Sequence, residues 1–334
     1  MASASPLFAR RELAPLGVET PLLVPSFSSR GYPGLANLFD ALRRALKDCA
    51  LVSAYDLHFG ALPPDAACAA DLVVVDSGGY GARPTADLGE PYLDDRAGRP
   101  WTAEAYHRLL DTLPRNALRV LVSFDHAGPA PMEAQIEGAL PLLARRGDAI
   151  DMLCKPERAG GAALDVESVL ASARHLGAFA AIGVTEKELG GSPIERCRAL
   201  VRLRRGLTAE GLTTPVHVFG CLTPLSIVAY FLCGADVFDG LAWLRFAFGA
   251  VAAYEAEAAI IDRTWGEPDG ARRLRRAEDN LAALRRLRRT LRDFCDAPDL
   301  AGLAEVGELG THVSLAGELA AAAGAWVPEV RHGH

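Results

Sequence analysis

Short apolar runs alternate with longer amphipathic stretches along most of the chain. The runs cover residues 20–25 (TPLLVP), 50–56 (ALVSAYD), 72–76 (LVVVD), 118–125 (LRVLVSFD), 150–154 (IDMLC), 179–183 (FAAIG), 216–220 (VHVFG) and 235–239 (ADVFD). Most are rich in β-branched or aromatic residues and stop at Gly, Pro, Asp or a polar turn. Continuous apolar runs without strict alternation fit strands buried on both faces of a parallel sheet. Between them lie stretches with helical periodicity at 34–47, 103–113, 132–146, 166–176, 194–207 and 224–232. Alternation on this scale predicts an α/β fold, a (β/α)8 TIM barrel. A doubly wound open sheet is the competing arrangement, but no glycine-rich dinucleotide fingerprint follows the first run.

Beyond Trp243 the pattern changes. Leu274, Leu281, Leu284, Leu287, Leu291 and Phe294 form one apolar stripe across residues 272–294, and nine arginines line the rest of that stretch. A packing helix with a solvated basic face is the plain reading. The sharper one is a surface for a phosphate backbone, through Arg285, Arg286, Arg288 and Arg289. The chain thus divides into a catalytic barrel over 1–250 and a C-terminal helical extension over 251–334 that packs on it.

Composition narrows the class. The chain has 334 residues, of which 50% are apolar and 23% charged, with 35 Lys+Arg against 42 Asp+Glu and a net charge of −7. That is globular composition, and bulk charge does not drive nucleic-acid binding, so any such binding needs a local basic patch. The seven cysteines are scattered, with no CxxC or CxC, which reads as reduced thiols in a cytoplasmic protein. The opening residues lack the apolar core of a signal peptide, and no run of 18 apolar residues exists, so no membrane partner is expected.

In a barrel of this kind, chemistry sits at the C-terminal ends of the strands. Those ends carry Asp56, Asp76, Asp125, Lys155, Gly183, Gly220 and Asp239. Carboxylates brought together push their pKa values apart, which permits one acid and one nucleophile. Two carboxylates are also the minimal equipment for displacement at an anomeric carbon. For any one Asp, an N-cap on the following helix is the alternative. In Asp76-Ser77-Gly78-Gly79-Tyr80 the glycines permit close approach of a ligand to the backbone. Tyr80, and Phe219 at another strand end, are positioned to stack on a flat ring; an ordinary tight turn with buried aromatics stays open beside that.

These segments together carry a resemblance. Asp76-Ser77-Gly78-Gly79-Tyr80 resembles the DSGG(F/Y) motif of the tRNA-guanine transglycosylases, a group with relatives that act on DNA guanine. Ser123-Phe124-Asp125 resembles their SFD segment. His217-Val218-Phe219-Gly220 with Thr223-Pro224, then Gly234-Ala235-Asp236-Val237-Phe238-Asp239, resembles their G-x-x-TP…G-x-D-x-F-D stretch. Glu19-Thr20-Pro21-Leu22-Leu23-Val24-Pro25 is similar to their opening strand. The matches run in order over residues 19–245.

The resemblance implies a (β/α)8 barrel that exchanges guanine for a 7-deazaguanine-type base on tRNA, DNA or a nucleoside. It implies Asp239 as the nucleophile at C1′ and Asp76 as the general acid/base. Asp125 would hold the edge of the base, with Ser77, Gly78 and Gly79 beside it. Tyr80 and Phe219 would sandwich the ring, and Gly183, Val184 and Gly220 would line the pocket. Departures are visible. Gly81 stands where the family has Gln, and Cys154-Lys155-Pro156 replaces its base-recognising Gln. Lys155 donates only, so it would hold a carbonyl. The family's C-x-C-x2-C zinc cluster is missing: after Asp239 there are only Cys295, His312, His332 and His334. No zinc and no other cofactor is therefore expected. A homodimer is left open as the assembly.

Overall fold

The computed structural model describes residues 5–30, 34–82, 98–125, 128–145, 147–158, 163–249, 253–304, 309–310 and 312–328. Each of the eight apolar runs overlaps a strand: β1 (Leu22–Phe27), β2 (Cys49–Ser53), β3 (Leu72–Asp76), β4 (Leu118–Val122), β5 (Asp148–Cys154), β6 (Ala181–Thr185), β7 (Val216–Phe219) and β8 (Val237–Gly240). All pairings between neighbours are parallel. β8 returns to pair with β1, Val237 opposite Leu22 and Asp239 opposite Val24, and this closes the barrel.

Strand side chains alternate between two cores, because successive Cβ atoms point to opposite faces. One core fills the barrel interior and includes Leu22, Val24, Leu51, Val74, Val120, Val122, Ala149, Leu153, Ala181, Phe219 and Val237. The other lies between the strands and the surrounding helices. Parity then decides which polar residues face inward: Ser26, Asp76, Asp151, Gly183, His217 and Asp239 all share a face with interior residues of their own strands. A small ribbon, Glu12–Leu13 with Val18–Glu19, lies at the N-terminal end, where Leu13, Leu16 and Val18 pack into the interior core.

The helical stretches form as expected at Leu35–Leu42, Ala103–Thr112, Met132–Leu143, Pro193–Ala209 and Pro224–Leu232, while 166–176 splits into Val166–Ala171 and Ala173–Leu176. The basic helix runs longer than its apolar stripe, Asp269–Asp296. It buries Leu281, Leu284, Leu287, Leu291 and Phe294 against the barrel. Asn280 ties its upper half to the loop after β8: its Nδ2 donates to Trp243 O (2.8 Å) and Phe246 O (2.7 Å), and its Oδ1 accepts from Phe248 N (3.1 Å). The tail, unpatterned in sequence, forms the helix His312–Ala322, which packs on Pro224–Leu232.

Candidate active site

Three acidic residues of the C-terminal mouth are set by tight backbone geometry. Gly78 stands at φ +87°, and a Cβ there would lie 2.6 Å from Tyr55 Cβ and 2.7 Å from Tyr55 N. Only glycine fits. This turn folds the chain back, so that the Gly78 amide donates to Asp76 Oδ2 at 3.0 Å. At Gly79 a Cβ would meet Asp125 Cβ at 2.5 Å and its Oδ2 at 2.7 Å, so glycine is what lets Asp125 stand against the β3 turn. Ser77 links the two: its Oγ accepts from Asp125 N at 3.1 Å, while its carbonyl accepts from Trp101 Nε1 at 2.7 Å. The side chain of Tyr80 lies outside the described residues.

Asp239, at the end of β8, faces the interior. Its Oδ2 accepts from Ser26 Oγ across the β1–β8 seam at 2.6 Å, and its Oδ1 accepts from Gly220 N at 3.1 Å. His217 Nε2 lies 3.4 Å from Oδ1. Behind it, His217 Nδ1 and Asp151 Oδ2 are 2.6 Å apart. All three side chains are buried. Burial pulls the imidazole down, but Asp151 and then Asp239 outweigh it and raise His217 to about 9. Asp76 responds the other way. Burial, followed by the charges of Asp239 and Asp125, pushes its carboxyl up to about 7, against the amides of Gly78 and Ser77. The mouth therefore holds a carboxyl that keeps its proton near neutrality and, opposite, a carboxylate held by a hydroxyl, an amide and an imidazolium.

Other expected residues take more specific roles. Asp56 follows the end of β2 but is engaged with the neighbouring loop. It lies in the short helix Ala54–His58 and is 1% exposed, and it accepts from the Ser29 amide at 2.8 Å and from the Ser29 hydroxyl, pinning the loop after β1. Phe219 is buried, with one ring face over His217 (centroids 3.8 Å apart). Gly183 makes room for that ring, since a Cβ there would come within 2.5 Å of Phe219 Cε2. Val184 is buried in the outer core, beside Gly183 on β6. Lys155 has its backbone clamped by Gln135 (2.9 and 3.0 Å), and its ammonium pairs with Glu188 at 2.6 Å. Next to that pair, Glu186 accepts from Tyr230 OH (2.9 Å) and Arg196 (3.3 Å).

The arginines are not at the mouth. Arg285 reaches Ala45 O and Asp48, Arg288 reaches Pro21 O at 3.3 Å, and Arg292 pairs with Glu19 at 2.8 Å; these are residues just before β1 and β2. Arg286 and Arg289 are exposed. Arg285, Arg288 and Arg292 thus face the N-terminal end of the barrel, while Arg272, Arg275 and Arg276 pair with Asp269, Glu267 and Asp262.

Sequence reasoning missed Ser26, Asp151 and His217. Their signal was present: a polar residue inside an apolar strand at inward parity. Among the described residues, no group of three or more His, Cys, Asp or Glu is arranged to hold a metal ion, and no helix is long and apolar enough to cross a membrane.

The chain is therefore a closed (β/α)8 barrel that carries paired carboxylates at its C-terminal mouth. No protein-family model matches it, and no curated protein matches it.

Proposed function

We propose that the protein is a pentosyltransferase that exchanges guanine for a 7-deazaguanine-type base at C1′ of a ribose or deoxyribose, on nucleic acid (tRNA or DNA) or a free nucleoside. The observation that carries this reading is the unequal carboxyl pair: Asp76 with its proton retained to about 7, and Asp239 with a hydroxyl, an amide and an imidazole at its oxygens. Double displacement at an anomeric carbon needs that inequality. Asp239 attacks C1′ as the bond to N9 breaks. Guanine leaves with the bonding electrons and takes the proton of Asp76. The incoming base then returns a proton to Asp76, its N9 attacks C1′, and the Asp239 carboxylate departs. Two inversions give retention. Asp125, held against Gly79, is the hydrogen-bonding partner for the edge of the base.

The test is incubation of the protein with labelled guanine and separate pools of tRNA, duplex DNA, single-stranded DNA and guanosine. Label entering one pool, with a sugar adduct on the Asp239 peptide after denaturation, is the expected result. No label in any pool and no adduct overturns the reading.

A further inference from the structure

The interior below Asp239 holds a charged pair that the exchange reaction does not by itself require. Asp151 and His217 are each 1% exposed and sit on β5 and β7, a layer deeper than the mouth. They differ from the ion pairs that tie the barrel together elsewhere. Arg119 meets both oxygens of Asp148, at 2.8 and 2.7 Å. Here, by contrast, Asp151 Oδ1 and His217 Nε2 have no hydrogen-bond partner among the described residues. Leaving a buried donor and a buried acceptor without partners costs free energy, and in native proteins such groups tend to mark function. That nitrogen faces Asp239, 3.4 Å from its Oδ1, an ion-pair contact without a formed hydrogen bond.

The surroundings keep this arrangement specific. Phe219 covers one face of the imidazole. A Cβ at Gly183 would sit 2.8 Å from Asp151 Oδ1 as well as against the Phe219 ring, so β6 must carry glycine for the pair to fit. The charged groups facing His217 are Asp151 from β5 and Asp239 from β8, the latter also held by Ser26 from β1. Asp76 is faced instead by Asp239, Asp125 and two backbone amides.

We infer that Asp151 and His217 form a positioning dyad that divides the labour between the mouth carboxyls: the imidazolium backs Asp239 as nucleophile and leaves Asp76 to carry the proton. The inference rests on the proposed exchange and names what makes its two carboxyls unequal. The charge balance favours it. With Asp151 and Asp239 ionised and His217 protonated, the trio carries one net negative charge. Ester formation at Asp239 removes that charge and leaves a neutral buried pair. Breakdown of the ester restores a carboxylate beside a waiting cation, which makes Asp239 a better leaving group in the second half-reaction. His217 never touches the sugar; it acts through Asp239.

Steady-state exchange by His217→Asn and Asp151→Asn, each checked for folding by circular dichroism, tests the dyad. His217→Asn should lower kcat by roughly 10–100-fold, as when an orienting group behind a reactive ligand is removed, with KM little changed. The acid limb of its kcat–pH profile should move to higher pH, because the proton is no longer confined to Asp76. Asp151→Asn should shift the same limb in the same direction by less. A readout free of activity is nitrogen NMR of the His217 imidazole: doubly protonated through neutral pH in the parent, and titrating at lower pH in Asp239→Asn. If His217→Asn does not fold, Asp151→Asn and the NMR comparison carry the test. Unchanged kcat and pH profile in a folded variant, with exchange intact in the parent, overturns the dyad and leaves the exchange reading standing. Should the parent show neither exchange nor adduct, the exchange reading fails, and a His217 titration indifferent to Asp239→Asn overturns the dyad as well.

Discussion

β5 carries Asp148 and Asp151, and the run into β8 carries Asp236, just before the strand, and Asp239; the two ends of the barrel use these acids in opposite ways. At the N-terminal end, Asp148 and Asp236 point outward into complete ion pairs. Asp236 takes Arg11 and Arg204, both at 2.5 Å, and the Val216 amide at 2.8 Å. Burial pulls Arg204 down to about 10, yet its charge stays matched by Asp236. Toward the C-terminal end, Asp151 and Asp239 point inward, where the two share one imidazole, His217. Three residues are an odd number of steps along a strand and span about 10 Å, so identity is kept while face and depth both change. An acidic residue in an apolar strand is thus assigned by parity and depth. A carboxylate locked by arginines holds the fold, and one at the mouth beside a shared imidazole is placed for chemistry.

Removing each acid in turn should separate the two ends most sharply. Asp239→Asn should lose base exchange by several orders of magnitude and keep its melting temperature. Asp236→Asn should show the reverse: destabilisation on the order of 3–5 kcal/mol, the range for breaking a buried pair, with near-normal kcat in whatever fraction stays folded. Denaturant melts beside single-turnover assays check both. Equal stability loss in the two variants would erase the contrast.

Asp76 gives the next effect. Its carboxyl is raised in the folded state to about 7, so folding favours its protonated form. That stability is fully present below about pH 4 and declines as pH rises, until it is lost above about 7, at most about 4 kcal/mol for a rise of that size. Asp76→Asn should flatten the stability profile between about pH 4 and 7. The parent's exchange rate should fall on the alkaline side of about 7, as the acid is spent. Melting curves at closely spaced pH values settle the sign.

A smaller effect is expected at the turn. Gly79→Ala places a methyl in the space of Asp125 and should weaken binding of a free guanine-like base by about 1–3 kcal/mol, the cost of leaving a polar edge without its partner. Calorimetric titration with guanine measures it. The smallest effect belongs to the basic helix. Arg286→Gln with Arg289→Gln should leave kcat on guanosine unchanged, since both are exposed on a helix whose Arg285, Arg288 and Arg292 contact residues before the first two strands. If polynucleotide lies along this face, the pair should reduce the salt slope of binding by up to roughly 0.9 for each phosphate no longer neutralised. An unchanged slope returns the helix to a packing role.

Much of this was legible in the chain. Eight buried strands read directly from LVVVD-like runs, and the glycines of Asp76-Ser77-Gly78-Gly79 announced a turn that only they can make. What escaped was pairing at a distance. His217 looks like any polar residue in VHVF until β5 brings Asp151 beside it, 66 positions away. Asp56 misled for the same reason, because the hydroxyl and amide it satisfies belong to Ser29 on another loop. The arginines divide in a way composition does not show: Arg285, Arg288 and Arg292 reach carbonyls and carboxylates beside the first two strands, while Arg286 and Arg289 stay exposed.

The seam between β1 and β8 has a consequence in time. Ser26 and Asp239 are 213 positions apart, and the strands that carry them are the first and last of the barrel. Contacts of such separation form slowly and late, since a long stretch of chain must be ordered before they add anything. During synthesis the ribosome releases Ser26 long before Asp239 exists, so the nascent barrel waits open, with an unpaired strand edge that invites association. Whatever chemistry Asp239 performs begins only when that edge is closed, and its appearance on refolding is a clock for the final step.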